Sequence, residues 1–467
     1  MPFDEDADRR EFDAADGSAL PRREFLLLLA AAVALQAIAW LVISQVFVAR
    51  EWGYVPTIVG DVSHYADVGL RVIFGEWPYS QFPYEYPPLS ILLFLLPPLK
   101  STLAAFHLWF GVQIILIGMV AAAVTTAAAA RIWQGLERPL AAAVALAVAV
   151  VAAGAIAVDR FDGAVALVLA LAVLCIVYRR WALAGLILGL GFSLKIMPIA
   201  VVPLVLVLAR TRRRVFWSLL AAVLAAVVPF MPFALHDPSG IASSFLGMQV
   251  GRGLQIESVA ASPFLIVQVL HHAAATVIVP PDGSYEIRAA GTALVERLAP
   301  LAVFALLAVV YCGVWRSRHA LRASAEGVPV TVLAVMLATI VGNKVLSPQY
   351  LLWVLPLVAL CLVGRSRLSK IAGALMMLAL VLTLVEIPDL YMDLTSRYPE
   401  PQLVIAARNA ALVAAFVVAV VAVWRLRGND LESAAAPTGG RSATTTACCT
   451  SSTRSSQASA SRSAARV

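Results

Sequence analysis

The sequence predicts an all-helical protein that crosses a membrane many times, and three observations support this. The 467 residues are 61% hydrophobic and only 13% charged, and the mean hydropathy is +0.86. A soluble domain carries about twice that share of charged residues. The apolar residues fall into runs of about 15–28, and a helix needs about 20 such residues to cross a hydrocarbon core of roughly 30 Å. A transmembrane β-barrel would show short alternating segments instead.

Taken in order, the apolar runs predict about 12 crossings, with both ends of the chain in the cytoplasm. The run at 88–99 is short and bracketed by prolines, so it is either a short crossing or a re-entrant piece. Polar segments at 1–23 and 428–467 are predicted to be disordered, which leaves 24–427 as the transmembrane domain. The long spans are expected at 25–49, 102–130, 139–157, 164–178, 215–235, 297–315, 329–347, 350–364, 370–387 and 402–425.

Arginines cluster in the short turns between apolar runs, whereas the remaining loops are acidic. By the positive-inside rule the arginine-rich turns are expected in the cytoplasm. The net charge of +7 therefore reflects the orientation of the helices in the membrane. It does not indicate a nucleic-acid partner, because no basic stripe with interleaved aromatic residues is present. The run 182–209 lies between two arginine-rich turns and is therefore predicted to be a hairpin that turns near Lys195 and Pro198. The five cysteines show no spacing typical of a disulfide framework or a zinc site.

The most informative segment is a polar, aromatic loop at 60–88, after the first span. Its first acid, Asp61, is the candidate general base towards a hydroxyl nucleophile. His64 and Asp67, three and six residues further on, would share a helix face with it and are candidate substrate-binding residues. The alternative is an interfacial aromatic belt with a capping aspartate. The candidate sugar-binding aromatic residues of this loop are Tyr65, Tyr79 and Tyr86.

Other external segments carry further candidate substrate-binding side chains. A charged turn between two spans holds Asp159 and Asp162; the alternative is a solvated turn in which Asp162 caps the next helix. A glycine-flanked loop holds Gln255 and Glu257, which would share one side if the chain were extended. Gln349 precedes one of the later spans.

Three cations on the same side are candidates for binding a donor phosphate. Arg252 is flanked by glycines, so a phosphate can approach closely and accept two hydrogen bonds. Lys344 lies at the outer end of a span and Lys195 at the turn of the predicted hairpin. Ionisable residues at membrane depth are costly and indicate function. The alternatives are a stray loop arginine and lysines that snorkel to the interface.

These segments bring a base, a sugar site and a phosphate site to one outer side of the membrane. The sequence shows no P-loop, Rossmann fingerprint, catalytic triad or metal-ligand spacing. A nucleotide-sugar enzyme would be expected to have a cytoplasmic α/β domain, which is not present. The donor is therefore expected to be a lipid already in the membrane, a polyprenyl-phosphate sugar, with no cofactor and no metal.

The order of motifs resembles the GT-C superfamily of integral-membrane glycosyltransferases. An aspartate in the first outer loop precedes Gly-Glu-Trp-Pro-Tyr at 75–79 and Tyr-Pro-Pro at 86–88. Later come Gly-Leu-Gln-Ile-Glu-Ser at 253–258 and Ser-Pro-Gln-Tyr-Leu-Leu-Trp at 347–353. Over roughly residues 25–425 this is most similar to the polyprenol-phosphate-mannose-dependent alpha-mannosyltransferases of actinobacteria. Many superfamily members pair two acids in the first loop, but here Val62 follows Asp61.

The resemblance implies an inverting transfer on the outer side of the cytoplasmic membrane, in which Asp61 deprotonates an acceptor hydroxyl. The donor would carry mannose, and the acceptor would be a glycolipid or a cell-envelope glycan. Membrane lipids are further expected partners. Two alternatives stay open: a transporter or flippase of lipid-linked sugars, and a non-catalytic scaffold. Transporters place charges on broken helices at the midplane and often show inverted repeats. Here the charges cluster in outer loops, which favours the enzyme.

Overall fold

The computed structural model describes residues 20–45, 60–97, 102–271, 275–279, 284–395 and 399–426. Nearly all elements are helical. The α-helices are α1 Arg22–Ile43, α2 Gly60–Ile73, α3 Ser90–Leu95, α4 Leu103–Ile132, α5 Glu137–Ala153, α6 Ile156–Asp159, α7 Asp162–Val177, α8 Trp181–Leu194, α9 Val202–Leu208, α10 Arg212–Val227, α11 Met231–His236, α12 Pro238–Gly240, α13 Gly247–Gly251, α14 Ser262–Leu270, α15 Thr292–Arg316, α16 Arg318–Ala323, α17 Val328–Val341, α18 Tyr350–Trp353, α19 Leu355–Val363, α20 Arg367–Val385 and α21 Pro399–Trp424.

Short helices of other types connect these elements. The 3-10 helices are Met197–Val201, Val228–Phe230, Val259–Ala261, Ala325–Gly327 and Met392–Thr395, and the π-helical segments are Ile241–Leu246 and Glu386–Leu390.

The predicted all-helical, membrane-spanning bundle is confirmed. Among the described residues, six helices are long and apolar enough to cross a membrane: α1, α4, the continuous run Arg212–His236, α15, α20 and α21. Shorter apolar helices lie between them. The centre of the bundle is α17, in which every residue from Val328 to Ile340 is buried. A helix that is apolar on all sides belongs in the core. The number of about 12 crossings stays a prediction.

The predicted hairpin within 182–209 is present. Helix α8 runs from Trp181 to Leu194, the chain turns through Lys195 and a 3-10 helix, and α9 returns to Leu208. Arg179 and Arg210 consequently line the same cavity, as the positive-inside argument requires.

The apolar patch at 263–279 belongs to a small folded segment. Its described residues form α14 and the strand β1 Ala275–Ile278, which pairs antiparallel with β2 Glu286–Ala289. Leu265 and Ala275 pack with Leu254 and Ile287 in a small hydrophobic core of their own. Burial of apolar side chains within the loop therefore stabilises this segment.

The predictions for the chain ends and for part of the first loop lie outside the described residues. This applies to the polar head and tail, to the end of the first predicted span, and to the loop before Gly60.

Candidate active site

A polar cavity of about 180 Å³ lies where α2, the turn before α7, the turn after α8 and several loops meet. Its side chains come from segments far apart in sequence, and three cations among them face two carboxylates. The cavity is lined by Asp61, Glu85, Tyr86, Pro87, Arg160, Lys195, Ile196, Met197, Gln249, Arg252, Gln255, Ser284, Val345, Ser347, Gln349, Tyr350, Trp353 and Tyr391.

Arg160 organises one wall of this cavity. Its Nε lies 3.1 Å from Oδ2 of Asp61 and donates a hydrogen bond to Oε1 of Gln349 at 2.8 Å. Burial alone would lower the pKa of Arg160, but the carboxylate of Asp61 outweighs it and raises that pKa above its ordinary value. The guanidinium therefore stays charged and fixes the carboxylate and the amide of two distant segments.

Asp61 lies in the first turn of α2, and its side chain is 36% exposed. The ion pair with Arg160 is made through Oδ2, and the carboxylate lines the cavity. Its other oxygen, Oδ1, can therefore meet a hydroxyl group that enters the cavity. A carboxylate oxygen in this position can act as a general base towards such a hydroxyl group.

Lys195 forms a second charged contact at the floor of the cavity. Its Nζ lies 2.9 Å from Oδ1 of the fully buried Asp162, and the same oxygen accepts a hydrogen bond of 2.5 Å from Nε1 of Trp353. The ammonium also lies 4.6 Å from the ring centroid of Phe161 and 5.2 Å from that of Tyr86. Cation–π contacts of this length stabilise a cation that has lost water.

The opposite wall pairs Arg252 with Glu85 through a hydrogen-bonded salt bridge. Several groups hold the loop that carries Arg252. The Lys344 ammonium donates to the carbonyls of Val250 and Arg252, and the N–H of Gly253 donates to Oε1 of Glu286 at 2.6 Å. A Cβ at Gly253 would lie 2.4 Å from that carboxylate, so a larger residue would require the Glu286 side chain to move.

The cavity thus brings together seven of the residues that the sequence proposed. Six line it, and Asp162 lies directly behind Lys195. The six lining residues are Asp61, Tyr86, Gln255, Gln349, Arg252 and Lys195.

Other proposed residues on α2 do not reach the cavity. The carboxylate of Asp67 is 58% exposed and pairs with Arg71 at 2.9 Å, and His64 is exposed. Tyr65 is fully buried and stacks on Phe94 at 4.4 Å between ring centroids. Burial, with Asp61 next in effect, raises the pKa of Tyr65 well above its usual value.

Tyr79, Asp159 and Lys344 also lie outside the cavity lining. The buried Tyr79 hydroxyl donates to the carbonyl of Tyr86 at 2.6 Å and so fixes the loop beneath it. Asp159 offers its backbone carbonyl to Arg160 at 3.3 Å. Lys344 binds backbone carbonyls rather than facing the cavity, so in the structure it positions the Arg252 loop.

Glu257 is the clearest departure from the sequence expectation. Gln255 and Glu257 were expected to share one side of an extended segment. The N–H of Ser258 instead donates to the carbonyl of Gln255 at 3.0 Å, which closes a turn and directs Glu257 away from the cavity. Its side chain is buried beside Glu386 and Arg408.

Sequence reasoning missed Arg160, Glu85 and Tyr350 as site residues. A signal was available for Arg160, because it lies between two acids in an outer turn, whereas the positive-inside rule places most arginines in cytoplasmic turns. Within the described ranges, no three His, Cys, Asp or Glu side chains gather within reach of one metal ion. Independence from metals stays a prediction.

Comparison with known proteins identifies the family. The family model for glycosyltransferase family 87 matches residues 84–325, just over half of the chain. No curated protein matches the sequence. Among solved structures, the chain is similar to ArnT from Cupriavidus metallidurans, in a crystal structure described as bound to undecaprenyl phosphate. The identity is 16%, the TM-score is 0.42, and the match covers 86% of this chain and 77% of ArnT. On the match of its family model, the chain belongs to glycosyltransferase family 87.

Proposed function

We propose that this membrane glycosyltransferase moves mannose from a polyprenyl-phosphate donor to a glycolipid or glycan acceptor of the cell envelope. The reaction takes place on the outer side of the cytoplasmic membrane and inverts the anomeric configuration. One observation carries the proposal: a half-exposed carboxylate, Asp61, opens into a cavity that also contains the side chains of Arg160, Lys195 and Arg252.

Asp61 acts as the general base in this mechanism. Its Oδ1 accepts the proton of the acceptor hydroxyl while Oδ2 stays paired with Arg160. The acceptor oxygen attacks the anomeric carbon, the bond to the phosphate oxygen breaks, and polyprenyl phosphate leaves. A single displacement inverts the configuration. Positioned base catalysis of this kind typically contributes a factor of about 10²–10⁴.

Negative charge grows on the phosphate oxygen as it leaves, and cations in the cavity stabilise it. Arg252 and Lys195 line the cavity and fill this role. Each is paired with a carboxylate before substrate binds, Arg252 with Glu85 and Lys195 with Asp162. These pairs hold the cations in place. Lys344 contributes indirectly, because it fixes the backbone on either side of Gly251.

The test compares Asp61→Asn with Asp67→Asn. Both aspartates lie on α2, but Asp67 is exposed and pairs with Arg71. Purified full-length protein in detergent receives radiolabelled polyprenyl-phosphate mannose, with membrane lipid extract as acceptor. The Asp61→Asn change should lower transfer of label to lipid by about 10²-fold or more, whereas Asp67→Asn should retain it.

Equal transfer by wild type and Asp61→Asn would move the base to another residue. Absence of transfer by the wild type, with pentose-charged donors failing as well, would favour transport of lipid-linked sugars instead. Membership of a glycosyltransferase family favours the enzyme.

A further inference from the structure

A second cavity, of about 210 Å³, lies at the other end of α7 and α8 from the polar cavity. Lys195 follows the last residue of α8, and Trp181 at its first residue lines this second cavity. The 14 residues of α8 separate the two by roughly 20 Å at 1.5 Å per residue. The charged residues that line the second cavity are all arginines: Arg131, Arg179, Arg210, Arg214 and Arg322. We call this the basic cavity.

Topology explains why arginines occur at this end, but it does not explain why they converge. The five arginines come from different turns and helix ends, and within the described part of the chain no acidic residue lines the basic cavity with them. Repulsion between like charges at close range is unfavourable. Burial, followed by the positive charges of Arg210 and Arg318, lowers the pKa of Arg322. A concentration of positive charge of this kind attracts an anion.

The arginines are held in place by the backbone around them. Nη2 of Arg179 donates to the carbonyl of Arg322 at 2.9 Å, and Nη2 of Arg322 donates to the carbonyl of Val207 at 2.5 Å. Arg179 has a φ of 54°, in the left-handed region, where a non-glycine residue costs about 1–3 kcal/mol. A glycine there would avoid that strain but would remove the guanidinium.

Two polar atoms at the basic cavity are left for a ligand. Nε of Arg322 and Nε1 of Trp181 are buried and find no hydrogen-bond partner among the described residues. No side chain caps the amino end of α8, which begins at Trp181. The free N–H groups at a helix start favour an anion. One water takes about 30 Å³ of liquid, so the basic cavity has room for a phosphate ester.

The surroundings point to a membrane lipid as the source of that phosphate. Tyr178, Trp217 and Trp315 are exposed by 45%, 50% and 59%, and each lies within three residues of an arginine. Aromatic side chains in such positions mark the level of the lipid headgroups. Basic pockets between transmembrane helices at this depth bind anionic headgroups. We propose that the basic cavity binds the phosphate group of an anionic lipid, at a site separate from the transfer reaction.

The test uses two double variants that remove the same charge. Arg210→Gln with Arg214→Gln alters the basic cavity, whereas Arg212→Gln with Arg213→Gln removes two exposed arginines of the same cluster that do not line it. Full-length protein in detergent is titrated with phosphatidylglycerol, phosphatidylcholine or inorganic phosphate, and binding is read by native mass spectrometry. The melting temperature without lipid checks that each variant is folded.

The wild type and the Arg212/Arg213 variant should bind phosphatidylglycerol in preference to phosphatidylcholine. The Arg210/Arg214 variant should lose about tenfold or more in affinity, since each basic side chain near an anionic lipid contributes roughly a factor of five. Arg210→Gln alone, at an exposed side chain, should show a smaller loss in the same direction. Equal losses in both double variants, or equal binding of phosphatidylcholine, would overturn the proposal. Binding of inorganic phosphate as tightly as of the lipid would also overturn the lipid as its ligand.

Discussion

At the scale of single residues, the buried charges behind the active site are the most constrained feature. Arg408 is fully buried, and its Nη1 donates to Oε2 of the equally buried Glu386 at 3.0 Å. Its Nη2 donates to the carbonyl of Glu257 at 2.7 Å. The Glu257 carboxyl group is itself buried beside Glu386. Two buried carboxyl groups therefore lie close to one guanidinium, and their proximity favours a proton on one of them.

Burial favours the protonated form of Glu257, and this makes stability depend on pH. Burial, followed by the charge of Glu386, raises the pKa of Glu257 well above its usual value. A carboxyl group whose pKa is raised on folding stabilises the protein fully below its unfolded pKa, and this contribution is lost as the pH rises through the folded pKa. The melting temperature of the wild type should therefore fall as the pH rises above the ordinary glutamate range. In the Glu257→Gln variant this side chain is neutral at every pH, so the melting temperature should fall less as the pH rises.

Glu386→Gln is the matched comparison. It removes the carboxylate that pairs directly with Arg408, so it should destabilise the protein by about 3 kcal/mol or more at pH values where Glu257 is neutral. Melting temperatures of wild type and both variants, measured across the same pH series, distinguish the two carboxyl groups. If Glu257→Gln shows the same pH slope as the wild type, the shared proton lies elsewhere.

Single residues also show where sequence reasoning stops. Asp61 was identifiable because it is the first acid of a polar, aromatic loop that follows a long apolar run. Arg160 was not, since its partners Asp61 and Gln349 belong to other segments, the second 189 residues away. Glu257 was misjudged because a turn at 255–258, and not an extended chain, sets its direction. The spacing of residues in the sequence does not show which distant side chains will pair, and it does not show which local turns will form.

At the scale of elements, the closest helix contact lies between α8 and α10. Small residues let the two backbones approach, and hydroxyl groups join them. Ser193 Oγ donates to the carbonyl of Ala225 at 3.0 Å, and Ser218 Oγ donates to the carbonyl of Trp181 at 2.9 Å. A Cβ at Gly185 would lie 2.1 Å from the carbonyl oxygen of Ser218, and one at Gly189 would lie 2.2 Å from that of Ala222. Small residues are the usual means of such contact within a membrane.

Replacement of these glycines should therefore separate the helices. Gly185→Ala and Gly189→Ala should each destabilise the protein by about 1–3 kcal/mol, because the opposing atoms are backbone and cannot rotate away. The control is Gly251→Ala, where no atom lies within 4 Å of the added Cβ. Melting temperatures of the wild type and the three variants, measured in the same detergent, give the order of their stabilities. If the Gly185→Ala protein is as stable as the control, then α8 and α10 pack less closely than the structure indicates.

Element boundaries were predictable where hydrophobicity alone decides them. The spans at 102–130 and 402–425 correspond to α4 and α21 within a few residues. The expected span at 329–347 ends earlier, at Val341, because residues after it turn into the polar cavity rather than continue the helix. The strands β1 and β2 were not foreseen, since their apolar residues pack within a loop and resemble a membrane-facing patch.

At the scale of the whole molecule, the two ends of the bundle differ in charge. The polar cavity at one end of α7 and α8 combines acids with cations, whereas the charged residues that line the basic cavity at the other end are arginines. The same two helices therefore connect the proposed transfer site to the proposed lipid site about 20 Å away. By the positive-inside rule, we expect the end with the basic cavity to face the cytoplasm. The proposed transfer site would then face outward, where a polyprenyl-linked donor would replace a nucleotide sugar.

This orientation can be tested with single cysteines. The five native cysteines are first replaced, because Cys312 is exposed. His64→Cys then reports the end with the polar cavity, and Arg212→Cys reports the end with the basic cavity; both native side chains are exposed. In intact cells, a membrane-impermeant maleimide should label the His64→Cys protein but not the Arg212→Cys protein, which should react only after the membrane is opened. Labelling of the Arg212→Cys protein in intact cells would invert the bundle and place Asp61 in the cytoplasm. A donor on the outer side of the membrane could then not reach Asp61, and the proposed reaction would be ruled out.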